Sequence, residues 1–284
     1  MAPRIDGAGA ARSMRPRHSP GEKRDMSAKL TRMPLAAAIA LAMATSLAWA
    51  DDEEEEVIEF EEANVYIEIN ATDGDAGLHA LLDADAWKEV KIEDHRGRTI
   101  FEVEAKGRLA RQGLTENFFE SAEPVCDPDD AEPGDRVVPL AKFLRRFPPG
   151  TYTFEGETLD GVELESEDEL THALPAAPII TSFSTSMLTW LPGHDLGACQ
   201  DDRLGLDPGS VPVVTWEVAV EPADDEIEPQ HVFRVELAGD APTAVTIPPE
   251  YVASYPGGTK FKGEVGAIEE SGNRTFTEFV QGED

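Results

Sequence analysis

Between Val57 and Val280 the chain is written in short runs of alternating apolar and polar residues. Each run is closed by proline, glycine or an acidic turn. A period of two sends successive side chains to opposite faces of an extended backbone, so each run has one face to bury and one to leave wet. Val65, Ile67 and Ile69 alternate with Tyr66, Glu68 and Asn70. Val90 and Ile92 lead into a His95-Arg96-Gly97 turn and return as Phe101, Val103 and Ala105, a hairpin with one buried face. Thr151–Phe154 and Val162–Leu164 flank Asp160-Gly161, a strong hairpin dipeptide. Helical spacing is rare. Leu140, Phe143, Leu144 and Phe147 mark one short amphipathic helix, stopped by Pro148-Pro149-Gly150, and Leu114–Glu120 reads as a second helical turn. Such a chain can satisfy its apolar faces by stacking sheets. The expected fold is all-β: two tandem β-sandwich domains, the N-terminal one carrying one or two short helices.

The first fifty residues stand apart. Lys29 and Arg32 precede an Ala- and Leu-rich run from Leu35 to Leu47, and Ala48-Trp49-Ala50 forms a small-residue cleavage pattern ahead of Asp51-Asp52-Glu53-Glu54-Glu55-Glu56. This is the layout of a signal peptide, with Met26 as its working start. It implies export to a periplasmic or extracellular compartment, with no membrane span after cleavage. Removing residues 1–50 takes away eight basic and three acidic residues, leaving 16 basic and 54 acidic and a net charge of −38 against −33 for the whole chain. A surface this negative repels nucleic acid and anionic lipid. Residues 51–58 read as an acidic, disordered leader. Residues 59–174 form the first domain and residues 175–178, Pro-Ala-Ala-Pro, a linker. Residues 179–284 form the second domain. Cys126 and Cys199 both lie in the exported part, in loop-like stretches. In an oxidising compartment such a pair forms one disulfide, two free thiols being the alternative.

The second domain resembles a fibronectin type III domain. Pro178–Phe183 is similar to that family's proline-led first strand and Met187–Trp190 to the second, with its core tryptophan. Val214–Val220 resembles the third strand, with Trp216 where the family commonly has tyrosine. Ala244–Pro248 resembles the strand before the corner, Tyr255–Phe261 the proline-glycine corner, and Val265 to Thr275 the final hairpin. The likeness covers about the last 105 residues and none of the first domain. Phe261 replaces the family's corner tyrosine, so its locking hydroxyl bond is expected to be absent. A long acidic loop, Gly193–Gly209, carries Cys199. The resemblance thus implies that a Cys126–Cys199 disulfide would tie the two domains together.

Three constellations bear on chemistry. Asp73 and Asp75, flanking Gly74, followed by Asp83 and Asp85, are candidate Ca²⁺ ligands, although the spacing lacks the closing Glu of an EF-hand. His79, His95, His172, His194 and His231 are scattered, with neither H-E-x-x-H nor G-x-S-x-G among them, so no catalytic residue is singled out. Trp87, Trp190 and Trp216 fit a sandwich core better than a sugar-stacking platform. Asn70-Ala71-Thr72 and Asn273-Arg274-Thr275 match glycosylation sequons. The sequence therefore points to an exported, non-enzymatic interaction or spacer module with an unidentified protein or glycan partner and no cofactor. The alternatives are a calcium- or carbohydrate-binding surface module, and an enzyme with a dispersed site in the first domain.

Overall fold

A computed structural model describes residues 57–128, 131–228 and 230–282. The signal segment and residues 51–56 of the leader lie outside the described residues. The strands of the first half are β1 (Val57–Ile58), β2 (Glu62–Asn70), β3 (Asp75–Glu93), β4 (Thr99–Glu104), β5 (Leu114–Glu120), β6 (Gly150–Thr158) and β7 (Glu163–Leu170), with helix α1 (Leu140–Arg146) between β5 and β6. The second half holds β8 (Ile179–Phe183), β9 (Met187–Leu191), β10 (Thr215–Pro222), β11 (Phe233–Ala238), β12 (Ala244–Thr246), helix α2 (Pro249–Ala253), β13 (Phe261–Ile268) and β14 (Arg274–Val280). The described residues are mostly strand in sandwich-like sheets, with two short α-helices among them. Among the described residues no helix is long and apolar enough to cross a membrane.

The 19-residue β3 organises the first half. Its start pairs with β2 on one side and β5 on the other, and its end pairs with β4 and β6. The register breaks around Trp87, where the strand passes from one set of partners to the next. A bulge there lets one strand turn the corner of a sandwich and line both walls of its core. Val65, Ile67, Ile69, Leu78, Leu82, Trp87, Ile92, Tyr152, Phe154 and Leu164 fill that core, and α1 closes it with Leu140, Phe143 and Leu144. In the second half a three-stranded sheet, β12-β9-β8, covers β10 and β13. Trp190 and Trp216 meet there edge to face, with ring centroids 5.9 Å apart.

The halves share a sheet. β14 runs parallel to β2, with Arg274 opposite Glu68 and Phe276 opposite Asn70, so the order β1-β7-β6-β3-β2-β14-β13-β10-β11 is continuous. The described residues belong to one compact unit. Asn273 fastens the seam. It is fully buried, its Oδ1 accepts the Ile67 N–H at 2.8 Å, and its Nδ2 donates to Thr171 Oγ1 at 2.8 Å. Residues 175–178, expected as a linker, are buried beside this seam.

Local expectations change at four places. Leu114–Glu120 is strand β5 rather than a helical turn, because β3 offers it an open ladder along His79–Asp83. Val57 and Ile58, placed in the leader, add a short parallel strand to β7. The 193–209 loop folds back onto the first core, where Leu196 and Cys199 are buried. The corner before β13 keeps its hydroxyl bonds although Phe261 lacks one. The Tyr255 hydroxyl accepts from the His231 N–H and donates to its carbonyl, both at 2.9 Å, and the Tyr251 hydroxyl donates to Val220 O at 2.7 Å.

Candidate functional site

The four aspartates put forward for calcium do not converge. Asp73 closes a turn, taking a hydrogen bond from Asn70 Nδ2 at 2.9 Å. Asp75 is the first residue of β3, and Asp83 lies eight residues further along the same regularly paired strand. At about 3.3 Å per residue that separation is about 26 Å, whereas Ca²⁺ needs its oxygens within about 2.6 Å. Asp83 and Asp85 therefore cannot share an ion with Asp73 and Asp75. The extended strand converts closeness in sequence into distance.

Strand pairing assembles a different group. Leu78, Ala80 and Leu82 point into the first core, so Asp75, Gly77 and His79 occupy the outer face of the sheet. Register places Glu68 opposite Gly77, Tyr66 opposite His79, and Glu120 of β5 opposite His79 on the other side. The segment after β5 then turns back along β3. The Ser121 N–H donates to Leu78 O at 2.9 Å and the Cys126 N–H to Gly74 O at 2.6 Å, clamping Glu123 between them. The Cys126–Cys199 disulfide, with sulfurs 2.05 Å apart, fastens that clamp, and a backbone bridge joins Val125 to Asp75.

The outcome is a histidine between two carboxylates. His79 is 3% exposed; its Nδ1 lies 3.7 Å from Glu68 Oε2 and its Nε2 3.6 Å from Glu123 Oε1. Nε2 has no hydrogen-bond partner. Tyr66 and Phe118 wall the ring, with centroids 5.3 and 5.7 Å away. Gly77 forms the floor. A Cβ built there would meet Glu123 Oε1 at 2.8 Å and His79 Nε2 at 3.1 Å, so the glycine leaves open the space between imidazole and carboxylate. Around this group burial pushes the Asp75 carboxyl up to about 7, helped by the charges of Glu123, Asp73, Glu68 and Glu120. Burial also raises Glu68, against the pull of His79 and Arg274.

No protein-family model and no curated protein matches the chain. Solved structures resemble it at low identity. Three consecutive fibronectin type III domains of chicken CNTN1 match at 8% identity and a TM-score of 0.28, over 79% of this chain and 67% of that one. A two-domain fibronectin type III segment of chicken tenascin matches at 9% identity and a TM-score of 0.25, over 78% of this chain and 97% of that one. A 1.5-MDa bacterial ice-binding adhesin, described for host cell surface retention, matches at 13% identity and a TM-score of 0.21, over 77% and 63%.

The outer face continues past the seam. Glu217 and Glu221 of β10, Glu264 of β13 and Glu278 of β14 share it with Glu68, by the registers that align Glu217 with Gly266, Gly266 with Phe276 and Phe276 with Asn70. Burial, with Glu278 and Glu68 beside it, pushes the Glu264 carboxyl up to about 7. Arg274 bridges the halves, its guanidinium 3.9 Å above the Tyr66 ring and 4.0 Å from Glu217. Lys262 spans Glu221 and Glu278 at 2.9 and 3.1 Å. The tryptophan candidates are internal, whereas His95, His194 and His231 are exposed. Trp87, Trp190 and Trp216 are each 2% exposed or less, so none presents a stacking face. His172 reaches Phe147 O at 2.8 Å, and His194 lies 3.3 Å from Asp195. Sequence reading passed over His79 as one of several scattered histidines. The spacing Asp75, Gly77, His79 on one strand face was a usable signal, but nothing local connects it to Glu123.

Proposed function

We propose that this protein is an exported, non-catalytic interaction module that meets a basic partner across the outer face of its shared sheet. The observation that carries the reading is the row of carboxylates running from Glu68 over the β2–β14 seam to Glu264, Glu278 and Glu217, where burial and the repulsion of neighbouring carboxylates raise the Glu68 and Glu264 carboxyls. A basic surface laid on this face would relieve that repulsion and gain charge-assisted hydrogen bonds. The sheet edges suit a secreted molecule. Exposed Glu163, Glu165, Glu167 and Glu169 alternate along β7, and acidic outward positions keep an edge region from pairing with other chains. The buried tryptophans favour a protein partner over a glycan held by stacking.

Cross-linking mass spectrometry on the protein in its native secretions tests the reading. Cross-links concentrated on β2, β13 and β14 are expected, and they should disappear in a Glu217→Gln, Glu264→Gln, Glu278→Gln variant but persist in a Glu165→Gln, Glu167→Gln control on β7. Cross-links that ignore the first variant, or a turnover that maps to this face, would overturn it.

A further inference from the structure

We propose that Glu68, His79 and Glu123 form a binding site for one first-row divalent transition ion of the zinc type. The site shares Glu68 with the partner face but does not depend on that reading; it rests on geometry at one point of the sheet. One ligand atom from each residue lies within 4.8 Å of the others. A protonated imidazole between two carboxylates would draw them into charge-assisted hydrogen bonds of about 2.7–2.9 Å. The gaps here are 3.7 Å from Nδ1 to Glu68 and 3.6 Å from Nε2 to Glu123, too long for that bond, so an ion on Nε2 meets Glu123 directly and Glu68 by a turn of its part-exposed side chain. In a tetrahedral shell with bonds of about 2.1 Å, neighbouring donor atoms stand about 3.4 Å apart, so the Nε2–Glu123 gap fits an ion better than a proton.

The surroundings agree. Nε2 is buried and without a hydrogen bond, a costly state for a ring nitrogen unless something occupies the space before it. Gly77 keeps that space clear in the middle of a strand, where glycine weakens the sheet. Tyr66 and Phe118 fix the ring plane. The Glu68 and Glu123 side chains are 24% and 27% exposed, which gives an ion a way in from solvent. Arg274, whose guanidinium lies over the Tyr66 ring and acts on Glu68, is the local competing cation. An imidazole with carboxylates selects zinc-like ions over Ca²⁺, which takes six to eight oxygens. Three protein ligands leave a further position for water or for a donor from another molecule.

The test is calorimetric titration of the full exported chain, disulfide intact and stripped with a chelator, using zinc chloride, with calcium chloride as the control ion. One zinc per chain is expected, with a chemical-shift change at His79 Nε2 in nitrogen-15 spectra. His79→Ala and Gly77→Ala should each weaken binding at least tenfold, while Asp83→Asn leaves it unchanged. In Gly77→Ala the new methyl meets only the ends of the Glu123 and His79 side chains, so the sheet can persist. Should either of those variants fail to fold, Glu123→Gln gives the same readout from a part-exposed position. Weak binding at many sites that ignores these substitutions, or no binding together with a His79 ring seen as imidazolium, would overturn the proposal.

Discussion

Replacing Cys126 and Cys199 together by alanine should cost the protein about 4 kcal/mol. The two residues are 73 apart in sequence. The cross-link removes loop-closure entropy from the unfolded chain, and that term grows with the logarithm of loop length. For a loop of this size it comes to about 4.4 kcal/mol at 25 °C. The native contacts set where the loss is felt. Both sulfurs are buried in the first core, yet Cys199 belongs to the loop that leaves β9 in the second half. Without the bond, Leu196 and the backbone contacts of Ala198 with Ala71 and Ala177 with Asp195 remain to hold the loop down. Urea unfolding followed by tryptophan fluorescence is the assay, since Trp87 sits in the first core while Trp190 and Trp216 sit in the second. The midpoint should fall, the slope should rise as the unfolded chain expands, and the Trp87 signal should move first. A loss below about 1 kcal/mol with an unchanged slope would refute the loop-closure account.

Other outcomes follow from the seam and the acidic face. Asn273→Ala leaves the buried Ile67 N–H without its acceptor and should lower stability by about 1–3 kcal/mol in the same urea assay, and Asn273 should stay unmodified by mass spectrometry in a glycosylating host. The Asp75 and Glu264 carboxyls are pushed up to about 7 from ordinary values of 3.8 and 4.5, so the folded state holds their protons more tightly than the unfolded chain does. Their contribution is complete below those ordinary values and is lost as the pH rises through 7, so the urea midpoint should be higher at pH 5.5 than at pH 8. A flat profile would show that the face is well solvated. Tyr255→Phe removes the hydroxyl that pairs with both backbone groups of His231 and should cost about 1 kcal/mol by thermal unfolding.

The local elements are legible in the chain alone. The alternation of Val65, Ile67 and Ile69 made β2, Asp160-Gly161 made the β6–β7 turn, where Gly161 has φ +85°, and the spacing of Leu140, Phe143 and Leu144 made α1. These signals are short in range, because side-chain period and turn geometry depend on neighbours in the chain. The same reading misassigned β5, whose seven residues become a strand only because β3 lies beside them. It also spread one calcium site along a strand too long to hold it. Tertiary structure alone decided the parallel seam between β2 and β14, joined by Asn273 across 206 residues, and the meeting of His79 with Glu123. Those contacts depend on register and on which strands become neighbours. That choice is made by burying two apolar faces at once, and no window of the sequence contains both.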